Sequence, residues 1–220
     1  MTIDLPVTLT VRGTAIRSGD AMRVVHNDTA GSPQGIAAAR ALGDLSHKVY
    51  TPKGGDAKPE ELLFLDVWAD PAGIQKFFAH PDVAAQAAQL FVNKDATVWM
   101  PARGAYGYSL PAARDRDDRF VGIVRGPIAS PDKAIEIFRG VDSRAVSAAR
   151  KRGILSHELF IKLGAPGEPL ELLGIDAWCD EAGMMAHYGD PTHMQALAGA
   201  FSGKPSASIW QQAPGAWSEW

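Results

Sequence analysis

ELLFLDVWADPAG, residues Glu61 to Gly73, returns as ELLGIDAWCDEAG, residues Glu171 to Gly183, 110 positions further on with eight of thirteen residues identical. The same offset carries Gly43, Leu45, Ser46 and His47 onto Gly153, Leu155, Ser156 and His157, and Arg40, Pro81 and Phe91 onto Arg150, Pro191 and Phe201. Matches held in register over such a span point to two copies of one small fold, so a functional site is expected as a pair or in one copy alone.

Each copy changes hydrophobic period in the same order. A strand-like run opens it, Val7 to Ile16 in the first and Phe120 to Ile128 in the second. A helical stretch follows; in the second copy Ile135, Phe138, Val141, Ala145 and Ala149 recur every three or four residues, the mark of one buried stripe. Gly43 and Gly153 end these helices. Two alternating runs with a Gly/Pro-rich loop between them then read as a hairpin: LSHKVY with LLFLDVW, and LSHELF with LELLGIDAW. Asp70 with Pro71, and Asp180 with Glu181, start a second helix, which Pro81 and Pro191 interrupt. ATVWMPA and SASIWQQAP close the copies as short strands.

The order β-α-β-β-α-β is that of the ferredoxin-like split βαβ unit, an antiparallel sheet with both helices on one face. Two such sheets packed face to face would cover each other. The chain therefore reads as α+β, with ferredoxin-like βαββαβ repeats at 1–108 and 119–220 paired as a pseudo-twofold α/β barrel. The linker at 109–118 falls within the Gly-, Pro- and charge-rich GAYGYSLPAARDRDDR.

Composition narrows the classes of function. With 220 residues and 46% hydrophobic content the chain can bury two cores of about 100 residues each. A net charge of −3 without a long basic stretch offers no footprint for nucleic acid. The start, MTIDLPVTLTVRG, lacks the basic and apolar regions of a secretion signal, and no apolar run approaches the roughly 20 residues of a membrane span. A soluble, cytoplasmic protein with no membrane partner is expected. Cys179 is the only cysteine, which excludes an intrachain disulfide, and its repeat counterpart is Ala69. Gly54 and Gly55 begin a hairpin loop rather than lead from a strand into a helix, so they match neither nucleotide-binding motif.

The second copy, from GILSHELF through LELLGIDAWCDEAGMMAHYGDPTHMQAL, resembles the antibiotic biosynthesis monooxygenase family of dimeric α/β barrels. The resemblance lies in a glycine before strand two, a hairpin, an acidic-x-Trp strand end and a helix carrying histidines. The first copy is similar, with a more divergent second helix. The resemblance implies the fused barrel and a small-molecule function. Within that family stand cofactor-free oxygenases of aromatic polyketide-like substrates, haem-degrading enzymes and signal-processing proteins. The leading expectation is a cofactor-independent monooxygenase-like enzyme, an oxidoreductase, acting on a small aromatic or polycyclic substrate. The alternatives are a non-catalytic small-molecule binder and a haem-binding or haem-degrading protein. Association of the fused pair into a homodimer is compatible with either.

Several residues are candidates for that chemistry. Asp66 and Trp68, with Asp176 and Trp178, lie two apart on strand three and share a face. The indoles would shape an aromatic cavity and the carboxylates serve as base or orienting group; equally, each Trp could be a core plug. His47 and His157 sit mid-strand in apolar rows, as hydrogen-bonded core residues or as ligand contacts. Ser46 and Ser156 face away from them, so a Ser/His nucleophile is not expected. The sharpest difference between copies is Phe77, Phe78 and Val83 against His187, Tyr188 and His193. If buried, these polar groups need partners, water or a ligand. The second copy would then hold the working pocket, with His187 or His193 as proton acceptor, Tyr188 as hydrogen-bond donor and Asp176 assisting. No metal is expected, because His187 and His193, six residues apart, would stand about 120° out of alignment on one ideal helix. The haem alternative would pair Trp178 with His187 or Trp68 with His80.

Overall fold

A computed structural model describes residues 6–109 and 120–220. They form two compact units. The first comprises the described residues through Pro52, then Lys58–Met100 and Ala213–Trp220; the second comprises Lys53–Ala57 and the described part of Pro101–Gln212.

The first unit runs β1 (Val7–Ala15), α1 (Gly19–Asp28), α2 (Pro33–Ala41), β2 (Asp44–Gly55), β3 (Glu61–Trp68), α3 (Pro71–Phe78), α4 (Pro81–Leu90) and β4 (Phe91–Pro101). Its antiparallel sheet has the order β4-β1-β3-β2, with Leu9 and His47 on either side of Asp66. The second unit contains β5 (Tyr108–Ser109), β6 (Phe120–Pro127), α5 (Pro131–Lys151), β7 (Ile154–Lys162), β8 (Glu171–Trp178), α6 (Glu181–Tyr188), α7 (Pro191–Ala198) and β9 (Ser206–Gln212). Its sheet, β9-β6-β8-β7-β5, places Gly122 and His157 on either side of Asp176. Each unit is thus α+β with the strand order the hydrophobic pattern implies.

Local chemistry explains the shared landmarks. Asp70 and Asp180 cap α3 and α6 by accepting from the backbone N–H of Gly73 and Gly183. A Cβ on either glycine would run into the carbonyl oxygen of Leu42 or Arg152, so the repeated Ala-Gly lets each helix sit directly against backbone. Pro81 and Pro191 occupy the first turns of α4 and α7, dividing the second helical region as their rings require. Trp68, Trp99, Trp178 and Trp210 are fully buried at matching places in the two sheets.

Two features depart from the sequence expectations. Where the second unit has the 21-residue α5, the first has α1 and α2 broken at residues 29–32, with Ser32 capping the restart at Pro33. Leu45 is exposed, whereas Leu155, at the same point of an equal bulge in β7, is buried.

A segment from the other half of the sequence finishes each unit. In the second, β5 pairs with β7, Tyr108 opposite His157. In the first, residues 213–220 lie along β2: the Ala213 N–H donates to Val49 O, and His47 and Trp220 exchange backbone hydrogen bonds of 2.8 and 3.2 Å. The tip of the β2 hairpin belongs to the second unit, where Asp56 exchanges hydrogen bonds with Ala207. Residues 110–118 of the expected linker lie outside the described residues. No helix among the described residues is long and apolar enough to cross a membrane.

Candidate active site

In the second unit a cavity of about 550 Å³ opens between the sheet and helices α5, α6 and α7. Most of its wall is apolar, including Ile123, Val124, Phe138, Val146 and Leu197, and its polar groups are Asp142, His157, Asp176, His187, Tyr188 and His193 with Tyr108 and Ser208. The first unit has only about 70 Å³ at the corresponding place, around His47, Asp66 and Trp68.

A chain of buried polar contacts runs along one side of the large cavity. His157 Nδ1–H donates to Asp176 Oδ1 at 2.5 Å, and its Nε2 stands 3.0 Å from Asp142 Oδ2, an ion-pair contact misaligned for a hydrogen bond. Tyr188 O–H donates to Asp176 Oδ2 at 2.5 Å and accepts from Trp178 Nε1–H at 3.2 Å. Burial alone would pull the His157 imidazole down, but the Asp176 and Asp142 carboxylates overcome it and hold it up to about 10. His157 is therefore an imidazolium at neutral pH. Burial pushes the Asp176 carboxyl up, yet the adjacent imidazolium and the two hydrogen bonds it accepts bring it below the usual range. Burial and then Asp176 raise the Tyr188 phenol well above its ordinary value.

His187 is different. It is 6% exposed, borders the cavity and has no hydrogen-bond partner among the described residues. Burial, and then His193, lower it to about 4, so it stays a neutral acceptor. Its ring lies 4.3 Å from that of His193, which burial also lowers. The 120° misalignment expected of these two residues does not arise, because the break at Pro191 puts them on separate helices and swings the rings together.

The first unit keeps the strand pair but surrounds it otherwise. His47 Nδ1–H donates to Asp66 Oδ1 at 2.6 Å, and its Nε2 lies 3.0 Å from His26 Nε2. Asn27 donates to Ala216 O and accepts from the Ser218 N–H, which fixes its amide. The His26 Nδ1–H then donates to Asn27 Oδ1 at 3.1 Å, which leaves its Nε2 facing His47 Nε2. Trp220 stacks on His47 at 4.7 Å and Trp217 lies against His26 at 5.2 Å.

Of the candidates named from sequence, His157, Asp176, His187, Tyr188 and His193 meet at the large cavity. Trp178 supports Tyr188 and touches His187 at 5.2 Å but is fully buried behind them, outside the cavity wall. Tyr188 was expected as a hydrogen-bond donor to a ligand, but its proton is already given to Asp176. Both Asp176 oxygens are likewise engaged, which suits an orienting group better than a base. His47, Asp66 and Trp68 line the small pocket of the first unit. His80 is exposed and caps α4, accepting from the Asp82 N–H, so it does not pair with buried Trp68. Sequence reasoning missed Asp142, His26, Gly122 and Gly174. Among the described residues no group of three or more His, Cys, Asp or Glu is arranged to hold a metal ion.

These buried imidazoles give stability a pH dependence. Burial lowers His26 to about 4, as it does His187, against an ordinary value of 6.5. The unfolded chain takes up those protons first, so stability falls as pH drops from 6.5 towards 4. Asp44, raised by burial and Asp66 to about 7, acts oppositely in that window and offsets one of the two. A urea midpoint that did not fall between pH 6.5 and 4 would contradict this.

No family model and no curated protein matches the sequence. Solved structures do. An anthrone oxidase-like protein superposes with a TM-score of 0.66 over 96% of this chain and 92% of its own, at 14% identity. The likeness shows a shared fold. A proposed monooxygenase from Lactobacillus acidophilus matches with a TM-score of 0.61 at 10% identity over 94% of both chains. Another from Fusobacterium nucleatum has a TM-score of 0.59 at 11% identity, over 96% of this chain and 94% of its own. At such identities the likeness speaks for the backbone alone; the chemistry must come from the site.

Proposed function

We propose that this chain is a cofactor-independent monooxygenase-like enzyme with its working site in the second unit, acting on a small aromatic or polycyclic substrate. The observation that carries the reading is the cavity of about 550 Å³ with unpartnered, neutral His187 on its wall, set against about 70 Å³ in the first unit. An apolar chamber with a few convergent polar groups is the usual form of a small-molecule site. In this reading His187, backed by His193, takes a proton from an activated CH₂ of the bound ring system. The resulting carbanion gives its electrons to dioxygen, and the hydroperoxide formed loses water to leave a carbonyl: CH₂ and O₂ become C=O and H₂O. Asp176 and His157 fix Tyr188 and the cavity wall rather than exchange protons with substrate. We further propose that the two units arose by internal duplication, supported by the 110-residue offset and the matched strand orders.

The test restores first-unit residues in the second. Oxygen uptake with an anthrone should fall by about 10² to 10⁴ in His187→Phe, the usual worth of a positioned acid or base, with a smaller loss in His193→Val. Unchanged uptake in both removes the assignment. Ligand binding without turnover in the parent protein would instead mark a non-catalytic binder of the same fold.

A further inference from the structure

The groups around the cavity do not balance in charge. Asp142 and Asp176 are two carboxylates and His157 is one imidazolium between them, with contacts of 3.0 and 2.5 Å. His187 and His193 are neutral imidazoles, and Tyr108 and Tyr188 are neutral phenols. Among the described residues no lysine or arginine lines the wall. Two guanidiniums stand behind the lining: Arg150 lies over the ring of Tyr108 at 4.8 Å, and Arg152 acts electrostatically on His187. Among the described wall residues, carboxylates therefore outnumber cations by one. Asp142 is the odd member: in the first unit its place beside the strand histidine belongs to His26, which carries no charge.

We infer that Asp142 sets the charge selectivity of this cavity, admitting uncharged aromatic ligands and rejecting aromatic carboxylates and other anions. The reason is direct. A ligand anion entering a largely apolar chamber gives up its hydration and meets a wall richer in carboxylates than in cations, with little solvent to screen the repulsion. A neutral ligand of the same shape meets neither cost. Asp142 need not touch the ligand, and the residue acts through the field it places across the chamber. This inference rests on the proposal that the cavity takes small aromatic molecules. It adds which of them it takes.

The experiment uses two ligands of nearly the same shape, 1-naphthamide and 1-naphthoate, titrated calorimetrically into the full chain at pH 7.5. The amide is expected to bind at least about tenfold more tightly than the carboxylate, the ratio a charge penalty of 1.4 kcal/mol gives. In Asp142→Asn, which keeps the shape, the gap should shrink several-fold, mainly through tighter naphthoate binding. Asp142→His, which installs the residue type found in the first unit, should shrink it too and guards against a fold defect in either variant alone. A purely structural role for Asp142 would weaken both ligands together and leave their ratio unchanged. Equal binding of the two ligands by the parent protein, or a ratio untouched in both variants, overturns the inference while leaving the aromatic site standing. Failure of both ligands to bind, together with a panel of neutral polycyclic aromatics, overturns the aromatic site and this inference with it.

Discussion

Gly174→Phe is expected to abolish ligand binding and oxygen uptake while leaving the chain folded. Gly174 lies on β8 between Val124 and Leu159, and its missing side chain leaves part of the cavity open. The first unit carries a phenylalanine at the matching place. Phe64 stands at the equivalent place on β3, opposite Val49, and packs against His26, His47 and Phe91 with ring centroids 5.1 to 5.5 Å apart. The space there is about 70 Å³ instead of about 550 Å³. A Cβ at 174 would come within 2.9 Å of Val124 Cγ1 and 3.3 Å of Leu159 Cδ2, so neighbouring side chains must give slightly. Overpacking of that kind costs about 1 to 3 kcal/mol. Calorimetry with a neutral aromatic should show no binding, with near-native circular dichroism. Retained affinity in a folded variant would mean that ligands bind elsewhere.

The second large effect should come from Asp176→Asn, and it should be visible in stability as well as function. Asp176 accepts from both His157 and Tyr188 within a buried cluster, and removing one partner of a buried ion pair costs about 3 to 5 kcal/mol. The pH profile separates this from ordinary repacking. His157 is raised from 6.5 to about 10 in the folded chain, so its stabilising contribution is fully present below pH 6.5 and disappears as pH rises through 10. The parent protein should therefore lose stability between pH 6.5 and 10, and the variant, with its imidazolium supported by Asp142 alone, should lose much less. Parallel slopes in denaturant titrations across that range would show that the His157–Asp176 pair is not the source.

The architecture was legible because strand period, helix stripe and proline position each had a local cause. Alternation in LLFLDVW and LELLGIDAW set the sheet faces, and Pro81 and Pro191 marked real helix breaks. The site was legible at His157 and Asp176, which both halves share, and where the halves differ at a constant offset, as at His187, Tyr188 and His193. Gly122 escaped that comparison. Its structural counterpart is Leu9, since both sit opposite the strand-three aspartate, but the broken helix of the first unit shifts the offset to 113. A Cβ there would come within 2.0 Å of the Tyr188 hydroxyl, so this glycine is what lets Tyr188 reach Asp176. Asp142 could have been seen. Ile135, Phe138, Asp142, Ala145 and Ala149 form an equally regular stripe, and a carboxylate on an apolar stripe asks for a partner. His26, four residues after buried Met22, carried the same signal. Their partners, contributed by other strands and helices, could not be assigned from local pattern.

The hairpin tip Lys53–Ala57 bears on the history of the gene. It lies in the first half of the sequence, yet Gly55 borders the large cavity and Asp56 is bonded to Ala207. A half with little cavity of its own could be deleted without loss if the two were independent. Here deletion would take a piece of the large chamber with it, so any constraint on that chamber extends to the first half of the sequence.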